Sequence, residues 1–143
     1  MKVVVPGLAL GLALVALVAA PAFAQGDAAA GATVFKKCQS CHAVGEGAKN
    51  KVGPELNLLI GRTAGTAPDF KYSQGMTDAG AGGLVWSAET LHQFLVKPKD
   101  FVKGTKMSFP GLKEQADIDN VVAYLTTFSA PAAPADGAAP AAQ

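Results

Sequence analysis

The sequence is poor in the residues that most often announce a function. Two cysteines in 143 residues are too few for a disulfide-dense scaffold or for a zinc or iron–sulfur site built from thiolates alone. Neither charge sign is in excess, with 12 Lys plus Arg against 11 Asp plus Glu. A protein held on nucleic acid by phosphate contacts needs a basic surplus, so no nucleic-acid partner is expected. The length is that of one small domain.

Apolar residues are plentiful, at 50%, but the ends of the chain inflate the figure. Lys2 is followed by an uncharged run from Val3 to Ala24 that closes on Ala22-Phe23-Ala24. A basic start, an apolar run and small residues at the end predict a secretory signal peptide over residues 1–24, cleaved after Ala24. The run is long enough to span a bilayer as a retained anchor. Its cleavage-type ending, and the few residues separating it from structured sequence, favour export to the periplasm without stable membrane insertion. At the other end, residues 130–143 place Pro131, Pro134 and Pro140 among alanines, a composition that predicts a disordered tail. Residues 25–129 are left as the functional domain. Its cysteines are exported, where thiols oxidise unless another reaction consumes them.

Cys38-Gln39-Ser40-Cys41-His42 contains both cysteines. Its spacing is that of covalent haem attachment. Two thiols one turn apart add to the two vinyl groups, and the histidine that follows is carried under the iron to supply an imidazole nitrogen. The competing uses of such a motif fit less well. A dithiol oxidoreductase places Cys-x-x-Cys on a helix after a strand, which the flanking Ala, Gly and Lys residues do not show. A zinc site needs four ligands, and the chain offers Cys38, Cys41, the adjacent His42 and the distant His92. A plain disulfide leaves His42 without a purpose.

The other face of a histidine-bound iron decides between ligand binding and electron transfer. Met107 lies in Lys103-Gly104-Thr105-Lys106-Met107-Ser108-Phe109-Pro110-Gly111, a loop that can wrap a flat cofactor and present a thioether to it. A lone methionine is commonly a core filler, yet a loop position between Lys and Ser is a poor place for one. Met76 is expected to pack, and His92 to be a surface or core histidine on a helix.

Three helices are predicted. The first runs from about Asp27 to Lys37 and leads into the haem motif. The second follows Trp86 with Ser87 as N-cap, carries Leu91, Phe94 and Leu95, and stops at Lys97 before Pro98. The third places Ile118, Val121, Val122, Leu125 and Phe128 on one face. Between the first two, eleven Gly and Pro positions from Gly45 to Gly83 predict loop. A loop of that length needs something to order it, and a haem at the centre would do so. The expected fold class is all-α, short helices and long loops around one haem.

Together these residues resemble class I cytochrome c, in the mitochondrial-like bacterial form called cytochrome c2, over nearly all of residues 27–129. The resemblance is carried by Gly31-x-x-x-Phe35, Cys38-x-x-Cys41-His42, Gly53-Pro54, Gly61-Arg62, Ala67-Pro68-x-Phe70-x-Tyr72, Trp86, Gly104-Thr105-Lys106-Met107-x-Phe109 and Ala123-Tyr124-Leu125. It implies thioether bonds at Cys38 and Cys41, and axial ligation of iron by His42 and Met107. It further implies that the Pro54 carbonyl accepts the other ring proton of His42, and that Arg62, Tyr72, Trp86 and Thr105 meet a haem propionate. Phe109 would lie beside the exposed haem edge, and Gly31 would let the first helix cross the last at Tyr124. Phe94 stands where many members carry a tyrosine whose hydroxyl reaches the methionine sulfur. The stretch from Ser73 to Trp86 is longer than in the mitochondrial form, with residues 79–83 expected to absorb the difference.

The resemblance implies an electron carrier rather than an enzyme, a monomer passing single electrons from a cytochrome bc1 complex to a photosynthetic reaction centre or a terminal cytochrome oxidase. The alternatives are a haem peroxidase or a ligand-binding sensor with a labile sixth ligand, and Met107 argues against both. Placement of charge carries more than its sum. Lys36, Lys37, Lys49 and Lys51 flank the haem motif, and Lys97, Lys99, Lys103, Lys106 and Lys113 flank Met107. Lys37, Lys51, Lys99, Lys103, Lys106 and Lys113 are the candidates for docking an acidic partner.

Overall fold

The computed structural model describes residues 26–129; the leader expected at 1–24 and the tail expected at 130–143 lie outside the described residues. Within them the chain forms α1 (Ala28–Phe35), α2 (Gln74–Ala81), α3 (Ala88–Val96), α4 (Pro98–Phe101) and α5 (Gln115–Thr126). No strand occurs among the described residues, where one isolated antiparallel bridge joins Thr63 and Val85. The all-α expectation holds. No helix of the described residues is long and apolar enough to cross a membrane.

The Asp27 carboxylate starts α1 by accepting from the backbone N–H groups of Ala29 and Ala30 at 2.7 and 3.1 Å, the usual way of satisfying a helix's first donors. The helix ends at Phe35, two residues before the predicted Lys37. From there the N–H groups of Lys36, Lys37 and Cys38 bond three residues back, tightening the chain as it enters the cysteine motif. On α3, Ser87 and Thr90 form the reciprocal cap, each side chain accepting from the other's backbone N–H at 3.1 and 2.8 Å. Replacing Ser87 by Ala should lower stability by about 1 kcal/mol, seen as a lower denaturation midpoint with an unchanged slope.

Two helices depart from expectation. Pro98 ends α3, as predicted, but also opens α4. A proline lacks only the N–H that a first helical turn leaves free, and its fixed φ suits that position. Helix α2 falls in the segment predicted as loop and takes in Ala79 and Gly80. Its glycines act by closeness rather than flexibility. A Cβ on Gly75 would stand 1.9 Å from the Lys103 carbonyl oxygen, and one on Gly80 would stand 2.0 Å from that of Ala64. The Ser73 hydroxyl caps α2 through the Met76 N–H.

Helix α5 buries Ile118, Val121, Val122 and Leu125 as the periodicity predicts. Phe128 lies past its end, in a turn, with its ring 5.0 Å from that of Tyr124. Helix α1 crosses α5 at Gly31, and α3 also packs on α5. Phe35, Ile118 and Val121 are the most deeply buried large side chains of this junction, each contributing about 1.5–3 kcal/mol by leaving water. The remaining loops are wrapped around a cavity that this core leaves open.

Candidate functional site

The cavity has a volume of about 330 Å³. Cys38, Cys41, His42, Pro54, Arg62, Tyr72, Trp86, Thr105, Met107 and Phe109 all line it. Ten residues singled out by motif, spread from Cys38 to Phe109 along the chain, thus meet at one place. Much of the remaining wall is apolar, supplied by Phe35, Leu59, Leu91, Leu95, Val121 and Leu125.

Cys38 and Cys41 are not joined to each other by a disulfide, and both are half-buried. They sit on a turn closed by the N–H groups of Cys41 and His42, which donate to the Cys38 carbonyl at 3.0 and 2.9 Å. Burial pushes the Cys38 thiol up, partly offset by Lys37. The turn aims His42 at Gly53-Pro54. His42 Nδ1 lies 2.7 Å from the Pro54 carbonyl oxygen, and since a carbonyl can only accept, that nitrogen carries the proton and Nε2 keeps its lone pair. Burial pushes the imidazole pKa down, and the Pro54 contact only partly restores it, so the ring stays in the neutral, metal-binding form. Gly53 is required here for space, because a Cβ would lie 2.4 Å from His42 Cε1.

Met107 is half-buried on the loop from α4 to α5, its N–H 3.3 Å from Thr105 Oγ1. Both shoulders of that loop are pinned. At Gly75 the α2 backbone rests against Lys103. At Gly111, with φ of +105°, a Cβ would lie 2.0 Å from the Val96 carbonyl oxygen, while the Leu112 N–H bonds to Leu95 at 2.8 Å. Met76 is buried, as expected, and also lines the cavity. His92 takes no part in it; Gln115 and Asp119 on α5 are its partners.

Four donors line the cavity with no acceptor in the protein among the described residues. The hydroxyls of Tyr72, Ser73 and Thr105 each accept a backbone N–H, at 3.3 Å in every case, but their own protons are uncommitted. The Trp86 indole N–H, on a side chain only 6% exposed, also meets none. Donors left free on a cavity wall suit an anionic or strongly accepting group. Arg62 adds charge to the same wall. Ser73 on the wall and Glu55 behind Arg62 are brought to the site by the fold. Ser73 was legible as a helix cap had α2 been foreseen, whereas nothing in one dimension pairs Glu55 with Arg62.

Of the six docking candidates, Lys37 and Lys106 line the cavity, whereas Lys51, Lys99, Lys103 and Lys113 do not. All six are exposed. Lys37 is tied to Asp117 at 3.0 Å, and Lys51 donates to the Gln39 carbonyl at 2.8 Å.

Known proteins share this fold. The sequence pattern of the cytochrome c family matches residues 28–129. The chain belongs to the cytochrome c family. It is 58% identical over 100 residues to cytochrome c2 of Afifella marina, covering 70% of this chain and 81% of that one. With cytochrome c2 of Agrobacterium tumefaciens it shares 52% over 112 residues, covering 78% of this chain and all of the relative. The solved structure of cytochrome c2 from Rhodospirillum centenum superposes with a TM-score of 0.71 at 43% identity, over 73% of this chain and 100% of that one. This cytochrome is therefore of the class I, c2 type: an electron-transfer protein rather than an enzyme, with haem c bound covalently through Cys38 and Cys41. The cavity fits that cofactor. Its apolar walls suit the macrocycle, the two thiols stand at its edge, and the uncommitted donors suit carboxylate groups.

Proposed function

We propose that this cytochrome is a soluble, monomeric carrier of the periplasm, in which His42 and Met107 would hold the haem iron. Bound haem c supplies one-electron chemistry by alternating between ferrous and ferric iron. The observation that carries the reading is that His42, with its proton committed to Pro54, and Met107, on a loop pinned at both shoulders, line one cavity. The chain's own work is to hold and to exclude. Cys38 and Cys41 tether the group, and the Pro54 carbonyl fixes the tautomer of His42. Apolar walls keep water away, which together with a thioether ligand raises the potential. Trp86, Tyr72, Thr105 and Ser73 would donate to the carboxylate groups of the bound haem, and Arg62 would lend charge there. Export of residues 25–129 behind a cleaved leader is supported by the pattern of residues 2–24.

Electrons arrive from a cytochrome bc1 complex and leave to a photosynthetic reaction centre or a terminal oxidase, the partners that the family resemblance implies. Lys37, Lys51, Lys99, Lys103, Lys106 and Lys113 steer those encounters. Transfer rates with such a partner should fall steeply as ionic strength rises from about 0.01 to 0.15 M, where the screening length shortens from about 30 to 8 Å. A flat salt dependence counts against steering. The ligation is tested by absorption spectra of both oxidation states. Narrow c-type bands with the weak sulfur-to-ferric-iron band support it; strong carbon monoxide binding by the unaltered protein overturns it.

A further inference from the structure

Arg62 reaches the haem cavity already engaged from behind. Its Nη1 lies 3.3 Å from Glu55 Oε1 and 3.2 Å from the Asn57 carbonyl oxygen, and its Nη2 lies 3.2 Å from the carbonyl oxygen of Glu55 itself. Two of its five donors are left without an acceptor among the described residues. The carboxylate is locked in turn, with Oε2 accepting from the Asn57 N–H at 2.7 Å, while the Glu55 N–H donates to Asn50 Oδ1 at 2.9 Å. Only 14% of the Arg62 side chain and 20% of that of Glu55 remain exposed. Arg62 lines the cavity and Glu55 does not, so the carboxylate backs the guanidinium away from the cavity.

We propose that Glu55 is a positioning residue that holds Arg62 at the cavity wall and offsets its charge there, so that the pair sets the reduction potential of the haem. The inference rests on the reading of this cavity as the haem site. A cation beside a redox centre disfavours the oxidised form, which carries one more positive charge. Arg62 alone therefore raises the potential, and the Glu55 carboxylate lowers it again. Both groups are largely out of water, where screening by salt is weak. An exposed pair would have its effect erased by counterions; this one keeps it.

The test is a potentiometric titration of the full-length holoprotein at fixed pH and high salt, where surface charges are screened. Glu55→Gln keeps an oxygen for Asn57 or Arg62 but removes the charge. It should shift the ferrous-to-ferric equilibrium toward ferrous by at least threefold, about 28 mV on a scale of 59 mV per tenfold. Arg62→Gln should shift it at least threefold the other way, and the double variant should return to within twofold of the parent. Glu55→Asp, which retains the charge, should also stay within twofold. A Glu55→Gln protein within twofold of the parent, or shifted toward ferric, overturns the proposal. A Glu55→Asp shift as large as that of Glu55→Gln does so too, since the role would then be shape. The sulfur-to-iron band, recorded on the same samples, keeps the questions apart. Its absence from the parent defeats the Met107 ligation, while the potentials still decide the role of Glu55.

Discussion

Exchanging Met107 for alanine should leave the haem attached and abolish the sulfur-to-iron band. Attachment survives because Cys38, Cys41 and His42 are held within their own turn and by Pro54, none of which touches the Met107 loop through a described hydrogen bond. The loop itself should persist, since its shoulders rest on Gly75 and on α3 at Gly111 and Leu112, away from the side chain removed. What changes is the donor on one side of the iron. Loss of a thioether that favours the ferrous state should lower the potential by at least a hundredfold in the equilibrium, about 118 mV at 59 mV per tenfold, and carbon monoxide should bind to the reduced protein. The stability loss should be near the lower end of the 2–5 kcal/mol typical of truncating a buried methionine, because Met107 is only half-buried. An unchanged spectrum and potential would remove Met107 from the iron. Met76, the other methionine lining the cavity, would then be the one to exchange.

The haem site was legible where its chemistry is local. Cys38 to His42 is a five-residue motif whose spacing carries its own meaning, and Met107 stood out because a loop offered it no packing role. Residues that act across the fold were harder to read. Glycine in sequence signals a breaker, but Gly75 and Gly80 lie inside α2, selected by the backbone oxygens that stand where a Cβ would go. That contact depends on Lys103 and Ala64, 28 and 16 residues away, and no local pattern encodes it. Pro98 was ambiguous for a related reason, since the residue that ends one helix is well suited to begin another. The lysines show the limit most plainly. Counting charges in two windows treats Lys37 as free, whereas folding brings Asp117 within 3.0 Å of it from the far end of the domain. Spacing says which charges are near one another along the chain; only the fold says which are near in space.

Gly31→Ala should be strongly destabilising, against the ordinary rule for a helix. Alanine in place of an interior helical glycine normally stabilises by about 0.5–1 kcal/mol, because the unfolded chain has less freedom to lose. Here the added Cβ would stand 1.9 Å from the Asn120 carbonyl oxygen and 2.7 Å from Tyr124 Cβ. Both belong to α5, and one is backbone, so neither can rotate aside. Separating the helices would also pull on the 2.7 Å bond from the Asp27 N–H to Asn120 Oδ1 and on the Phe35–Tyr124 ring pair, 5.4 Å between centroids. Overpacking of this kind costs about 1–3 kcal/mol, and more where backbone must move. A net loss of about 2–3 kcal/mol is expected, equivalent to a fall in Tm of about 10–20 °C for a domain of this size. Gly82→Ala is the control. Gly82 follows α2 with φ of −75°, its nearest neighbour to an added Cβ would be 3.3 Å away, and its exchange should stay within about 0.5 kcal/mol. Thermal and guanidinium unfolding of the two holoproteins decide between them. Equal stabilities would mean that α1 and α5 part at no cost, and that their close crossing is not what holds Phe35 in the cavity wall.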